Sequence, residues 1–254
     1  MSWKFVSIHL AAAALLLAGC NPPATATIPP PPVPLSVSYS PYLARIQDAL
    51  HACALELPQA AIFFDQTTGS EQDFKDHDLF LWWGEKPIGI DFTYQLGEDA
   101  LVVIANLKNP KQELSQQELN ALFSGRIERW TDIGTLDQKT AIWIFPEGNL
   151  LNEVFKLEVL AGRGYTSLAS VAPSPQAMLE AVESTPGAIG FTPRAWISQE
   201  VSIIEIDPAL QSKLNRPLLA LTKTEPKAEL QALLACLQTG AGQAILAEDY
   251  EPHQ

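Results

Sequence analysis

Positive charge is what this 254-residue chain has least of: 16 lysines and arginines stand against 29 aspartates and glutamates, a formal charge of −13. A body so acidic is repelled by nucleic acid and by anionic lipid headgroups, and no basic run offsets it, so nucleic-acid binding is excluded. Histidine is scarce too. His9 lies in the amino-terminal apolar run, His51 in a helical pattern, His77 in a charged turn and His253 in the tail. No nucleophile motif, phosphate loop or metal-ligand spacing accompanies them, so the chain offers no catalytic residue, metal site or cofactor site and is not read as an enzyme. Long apolar stretches are missing as well. The run from Ile8 to Ala18 is broken by His9 and is too short to span a bilayer. There is no internal repeat of solenoid length.

Apolar residues nevertheless make up 47% of the chain, enough for a real core in one large or two modest domains. Residues 1–19 have the layout of an export signal peptide, with Lys4 ahead of an apolar segment ending in Leu17-Ala18-Gly19. That ending, directly before Cys20, resembles the lipobox of bacterial lipoproteins, in which the cysteine is lipidated and becomes the new amino terminus. The alternative is a free Cys20 after an ordinary signal. Residues 20–34 are dense in proline and read as an extended, semi-rigid tether. Removing the signal takes away Lys4 and no acid, so the mature body is more negative still and the membrane anchor must be the lipid itself. One acyl chain binds only marginally, which calls for a multiply acylated cysteine. The expected location is exported and lipid-anchored at the outer face of the cell membrane.

Past the tether, Leu35 to Ser38 reads as a short strand and Ser40-Pro41 as a helix start, with a cap serine and proline at the first helical position. Leu43, Ile46, Leu50, Cys53 and Leu57 recur at helical spacing. Ala60 to Phe64 and Asp78 to Trp83 are further strands, separated by the polar turn Thr67 to Glu71. The second is almost wholly apolar, as suits a sheet covered on both faces. Strand, helix, strand, turn and strand indicate an α/β fold. Ala100 to Ala105, Ala141 to Phe145, Val201 to Ile206 and Pro217 to Leu221 continue the strands; Leu150 to Leu160, Ser174 to Glu183 and Glu229 to Ala247 continue the helices. The best-specified stretch is Leu114 to Gly134. Ser115 and Glu118 form a capping box, Leu114 and Leu119 a hydrophobic staple, and Leu119, Leu122 and Phe123 an apolar stripe. Gly125 supplies the left-handed stop, and Trp130 anchors a loop that turns at Asp132 and Gly134.

Leu114, Ser115, Glu118, Leu119, Phe123, Gly125, Trp130, Asp132 and Gly134 together resemble a signature of the PstS-like phosphate-binding lipoproteins of ABC transporters, a branch of the periplasmic-binding-protein superfamily. Pro186-Gly187-Ala188-Ile189-Gly190-Phe191, after Ala181-Val182, is similar to a second run of that family, with phenylalanine where the family has tyrosine. The resemblance implies a two-lobed α/β fold of the type 2 solute-binding class with a hinge and an interlobe cleft. Residues 35–104 and about 191–254 would form lobe 1 and residues 105–190 lobe 2. It implies an extracytoplasmic solute-binding lipoprotein, expected as a monomer, with a small-molecule solute and an ABC permease as partners. The alternative is a non-transport lipoprotein using the same fold for sensing or partner binding. If one lobe holds both Cys53 and Cys236, as the family's topology would have it, the pair could bridge; otherwise they are two buried thiols.

In such proteins helix amino termini hold an anion in the cleft. Three ends are candidates here: Ser38-Tyr39-Ser40, Thr67-Thr68-Gly69-Ser70 leading to Glu71, and Glu147-Gly148-Asn149. Each also reads as ordinary capping and turn chemistry. Phosphate-binding members carry an arginine and then Gly-Ser-Gly-Thr at the third. Aligned on the strand before it and on Phe155, that motif meets Phe145 at the arginine, Gly148 at the first glycine, Asn149 at the serine, and Leu150 and Leu151 at the last glycine and threonine. A buried dianion without a guanidinium partner pays a desolvation cost of several kcal/mol, so phosphate in the usual mode is not expected. Trp82 and Trp83 replace small polar or acidic residues of the family. They are either core packing or a flat wall for an aromatic, sugar-like or cationic ligand. Glu85 and Glu147, if at the cleft, add negative potential there.

Overall fold

The computed structural model describes residues 30–67, 71–134 and 137–252; Cys20 and the signal peptide, Thr68 to Ser70 and His253 lie outside them. From Pro32 onward the chain forms one unit by its contacts. Strand β1 (Val33–Tyr39) leads through a 3-10 turn (Pro41–Ile46) into α1 (Gln47–Glu56). Proline at the first helical position starts that turn as anticipated, but the first six residues wind more tightly than an α-helix. Strand β2 (Ala60–Gln66), the short α2 (Glu71–Asp76) and β3 (Leu79–Trp83) follow. β1 lies between β2 and β3, parallel to both.

The next strand, β4 (Phe92–Asn106), is the longest and organises the sheet. After it come β5 (Glu113–Leu114), α3 (Gln116–Phe123), β6 (Ala141–Ile144), α4 (Leu150–Leu160), β7 (Ser170–Val171), α5 (Pro175–Ser184) and β8 (Ala188–Pro193). Then follow β9 (Val201–Ile206), α6 (Pro208–Leu214), β10 (Asn215–Thr222), α7 (Ala228–Thr239) and α8 (Ala241–Asp249). The strand order is β2-β1-β3-β10-β4-β8-β6-β7, with β9 pairing to β4 and β5. β4 changes partners half-way. Up to Ala100 it runs antiparallel to β10; from Leu101 it pairs with β8 and from Val103 with β9 as well. Its second half, Leu101 to Ala105, is fully buried, and one continuous apolar cluster runs through both halves of the sheet.

At the change of partner stands Asp99, 4% exposed and the one buried carboxylate among the described residues. Its Oδ1 accepts the amides of Ala100 (2.8 Å) and Ala195 (3.3 Å), tying β4 to the turn that leaves β8. Burial pushes its pKa up to about 7, against the lowering effect of those amides and of Arg194.

The local chemistry of α3 is as its residues dictate. Glu118 donates its amide to the Ser115 hydroxyl (3.2 Å) while its carboxylate takes the Ser115 amide (2.8 Å). Gly125 sits at φ 77° and Gly134 at φ 78°, both left-handed. The buried Trp130 indole donates to the Gly187 carbonyl (2.8 Å), joining the two motif stretches.

Two expectations need correction. The strand at Ala100–Ala105 begins much earlier, at Phe92, because its first half pairs with a strand more than a hundred residues away in sequence. The final helix is two helices bent by 46°. Gly240 is extended there (φ −98°, ψ −154°), and a Cβ on it would come within 2.9 Å of Cys236 Cα. The bend lets α7 and α8 both pack on α1, where Cys53 and Cys236 are joined in a disulfide. Gly242 permits that approach, since a Cβ there would fall 2.4 Å from Cys53 Sγ.

Candidate solute-binding cleft

The amino-terminal ends of the first 3-10 turn, of α4 and of α5 converge on a cleft of about 470 Å3. Its walls are Ser40, Pro41 and Tyr42 from the first end, Gln66 and Thr67 from the end of β2, Glu147 to Leu150 from the second end, and Pro173 and Pro175 from the third. Of the residues anticipated from sequence, Ser40, Thr67, Glu147, Gly148 and Asn149 are thus brought together. Ser38 lies just behind, its hydroxyl 2.7 Å from that of Thr67.

Others are not. Tyr39 is buried and its phenol oxygen accepts from the Gln47 amide, so it serves the core rather than the cleft. Trp83 is fully buried, edge-on to Tyr42 with ring centroids 6.4 Å apart. Alternation along β3 sends Trp82 to the opposite face, against Phe80 in a small cluster with Leu219 and Leu221. Its indole donates to the Glu85 carbonyl at 2.9 Å. Neither indole is among the wall residues, which matches core packing, the other reading of the pair, and Glu85 is not a wall residue either. Of the histidines, His51 packs edge-on to Phe64 and His77 bonds Asp65 and the Asp73 carbonyl; neither lines the cleft.

The sequence did not mark Pro41, Tyr42, Gln66, Leu150, Pro173 and Pro175 as ligand-binding residues. The only available signal was Ser174-Pro175, which reads as a helix start but not as a helix start aimed at the cleft.

The second end explains itself. Gly148 is left-handed (φ 79°) with open space where a side chain would sit, so its conformation rather than any crowding calls for glycine. Asn149 caps α4, its Oδ1 accepting the Leu151 amide at 2.9 Å. Phe145 is fully buried, 5.4 Å from Phe191, which stacks on Phe155 at 3.9 Å. Leu151 is likewise interior, whereas Leu150 faces the cleft.

Electrostatically the cleft is one-sided. Among the described residues, Glu147 is the only charged one on its wall, and no lysine or arginine lines it. Five of the six arginines are engaged elsewhere: Arg45 over the Trp196 ring at 5.1 Å, Arg216 on Glu158 at 3.2 Å, and Arg129 on Asp137. Arg126 is held by Asn120 Oδ1 at 2.5 Å, and Arg163 by the Leu160 carbonyl at 3.2 Å. Several amides at the converging ends are already committed. Leu43 donates to the Ser40 carbonyl (2.8 Å), Asn149 to the Pro146 carbonyl (3.1 Å) and Ala177 to the Ser174 hydroxyl (3.2 Å). Pro41 and Pro175 have no amide hydrogen to give. Ser40 is 1% exposed, its hydroxyl set against the Tyr42 phenol. Burial pushes the Tyr42 phenol up, the nearby Ser40 hydroxyl offsetting part of this.

Residues 88–241, more than half of the chain, match the family model described as a PBP superfamily domain. The chain belongs to the PBP superfamily. Among curated proteins this PBP-superfamily chain is similar to the phosphate-binding protein PstS of Bacillus subtilis (strain 168), 27% identical over 134 residues. That match covers 49% of this chain but only 43% of the relative, less than half its length. Among solved structures it is similar to a substrate-binding protein assigned to phosphate ABC transport from Clostridium perfringens, solved with bound phosphate. The TM-score is 0.76 at 18% identity, over 87% of this chain and 100% of that one. An ABC-type phosphate transport receptor from Vibrio cholerae gives 0.69 at 22%, over 86% and 100%. The regulatory domain of a LysR family regulator from N. meningitidis shares the fold too, at 0.61 and 14%, over 85% and 95%. At these identities the structures speak for the fold: α/β and periplasmic-binding-protein-like.

Proposed function

We propose that the chain is an extracytoplasmic solute-binding lipoprotein of the ABC-transport kind, anchored through Cys20, whose cleft does not take inorganic phosphate in the usual mode. Residues 35–104 with about 191–254 would form one lobe and 105–190 the other, the chain crossing between them in β4 and again after β8. The observation that carries this reading is the burial of Phe145 in the aromatic core at the position the resemblance gives to arginine, with no lysine or arginine on the cleft wall among the described residues. A phosphate dianion there would be desolvated beside Glu147 without a guanidinium to compensate it.

A second reading, sensing or partner binding without transport, is favoured by the same loss of the clamp. A thermal-shift screen separates the two, because any solute that binds the folded state raises its melting temperature by mass action. Solute binding predicts a hit that calorimetry reproduces. A broad screen without one favours the second reading.

A further inference from the structure

We infer that the free edge of the sheet, strand β2, pairs antiparallel with β2 of a second copy, giving a two-fold dimer in which one sheet runs through both chains. This goes beyond the solute-binding reading and takes the place of the monomer that the resemblance implies. β2 (Ala60–Gln66) ends the strand order and pairs with β1 alone among the described residues. An end strand presents a row of unpaired N–H and C=O groups, and soluble proteins blunt such edges with lysine, proline or a bulge. None of these is present here. β2 has no proline, lysine or arginine, and its seven pairs with β1 run without a register shift.

Both faces of that edge carry uncovered apolar side chains. Phe64 turns towards α1, its ring 5.1 Å from that of His51. Alternation therefore puts Phe63 on the other face, where it is 59% exposed. On the α1 side Leu55, one turn on from His51 along the same helix face, is 86% exposed. An antiparallel pair centred on Phe63 overlaps all seven residues. It sets Phe63 against the partner's Phe63, Ile62 against the partner's Phe64 and Asp65 against the partner's Ala61. A two-fold axis perpendicular to the sheet keeps both α1 helices on one face, side by side across the joint.

Charge decides for a second copy at this strand, although each chain carries −13 overall. Ala60 to Phe64 is wholly uncharged, so the strand is complementary to itself. Its one charge, Asp65, faces an alanine. The Asp65 residues of the two copies lie four positions apart, about 13 Å along an extended chain, beyond the screening length of about 8 Å at physiological salt. His77 Nε2, 3.1 Å from the Asp65 carboxylate, moderates that charge further. Seven residues of strand and two flanking side chains make a small interface, so the dimer is a dissociable one.

Sedimentation velocity of the mature chain carrying Cys20→Ser, and so no acyl group, tests the inference across the micromolar range. The expected result is a monomer–dimer equilibrium that added salt tightens, because the two bodies are alike in charge. Phe63→Lys, which sets two ammonium groups opposite each other, should weaken association by about tenfold or more, and Leu55→Glu should weaken it too. Both side chains are exposed, so neither change should lower the melting temperature. Leu168→Lys, also exposed but beside β7 at the other end of the strand order, should leave the equilibrium as it was. Phe63→Cys should be captured as a covalent dimer by a short bismaleimide, and Leu168→Cys should not. A monomer at every concentration, a dimer indifferent to both Phe63→Lys and Leu55→Glu, or capture at Leu168→Cys instead of Phe63→Cys overturns the inference. The solute-binding reading stands or falls by the thermal-shift screen alone.

Discussion

At Phe145 the proposal turns on one side chain. It fills the core between β6 and Phe191, and putting the positive charge back would bury it among aromatic rings without a carboxylate. Phe145→Arg should therefore lower stability by several kcal/mol in denaturant titration without creating phosphate affinity. Asp99 gives a second test at this scale. Its folded pKa, about 7, lies above the unfolded value near 3.9, so the folded state holds a proton the unfolded state has lost across that interval. The stability this proton confers is complete below about pH 4 and is lost as pH rises through 7. Unfolding measured from pH 5 to 8 should show that decline. Asp99→Asn, which keeps the acceptor for Ala100 and Ala195, should flatten it; an unchanged profile would deny Asp99 this role.

Elements differ in how far their sequence announces them. α3 was legible to the residue because capping box, staple and glycine stop are all local, and the Ser115–Glu118 exchange needs nothing from the rest of the fold. The first half of β4 was not legible. Phe92 to Glu98 mixes polar and apolar residues, and what makes it a strand is its partner β10. The bend at Gly240 was hidden for a related reason: glycine inside a helical pattern is tolerated locally, and only packing of α7 and α8 on α1 requires the turn. The disulfide belongs to this scale as well. It closes a separation of 183 residues, so the Cys53→Ser, Cys236→Ser double variant should lose up to ~5 kcal/mol of unfolding free energy on the chain-entropy account. A free-thiol count on the folded protein should find neither cysteine reactive. Gly242→Ala should strain the same joint and lower the melting temperature, because its methyl meets the sulfur.

For the whole molecule, family and fold were readable because the two motif runs are local sequence features that the Trp130–Gly187 hydrogen bond brings together. The cleft was readable only in part. Ser40, Thr67 and Glu147 to Asn149 come from helix starts or a turn next to one, which leave a signature, whereas Gln66 and Pro173 reach the wall through the arrangement of β2 and α5. Of the two readings open for Trp82 and Trp83, core packing is the one their surroundings match, because strand alternation sends one ring into each face of the sheet. The central claim is that a cleft built on an anion-binding plan has lost its positive clamp. Titration calorimetry of the mature protein with inorganic phosphate tests it most directly. The account predicts no binding heat across the micromolar range; a micromolar dissociation constant that weakens on substitution of Ser40 or Thr67 would contradict it.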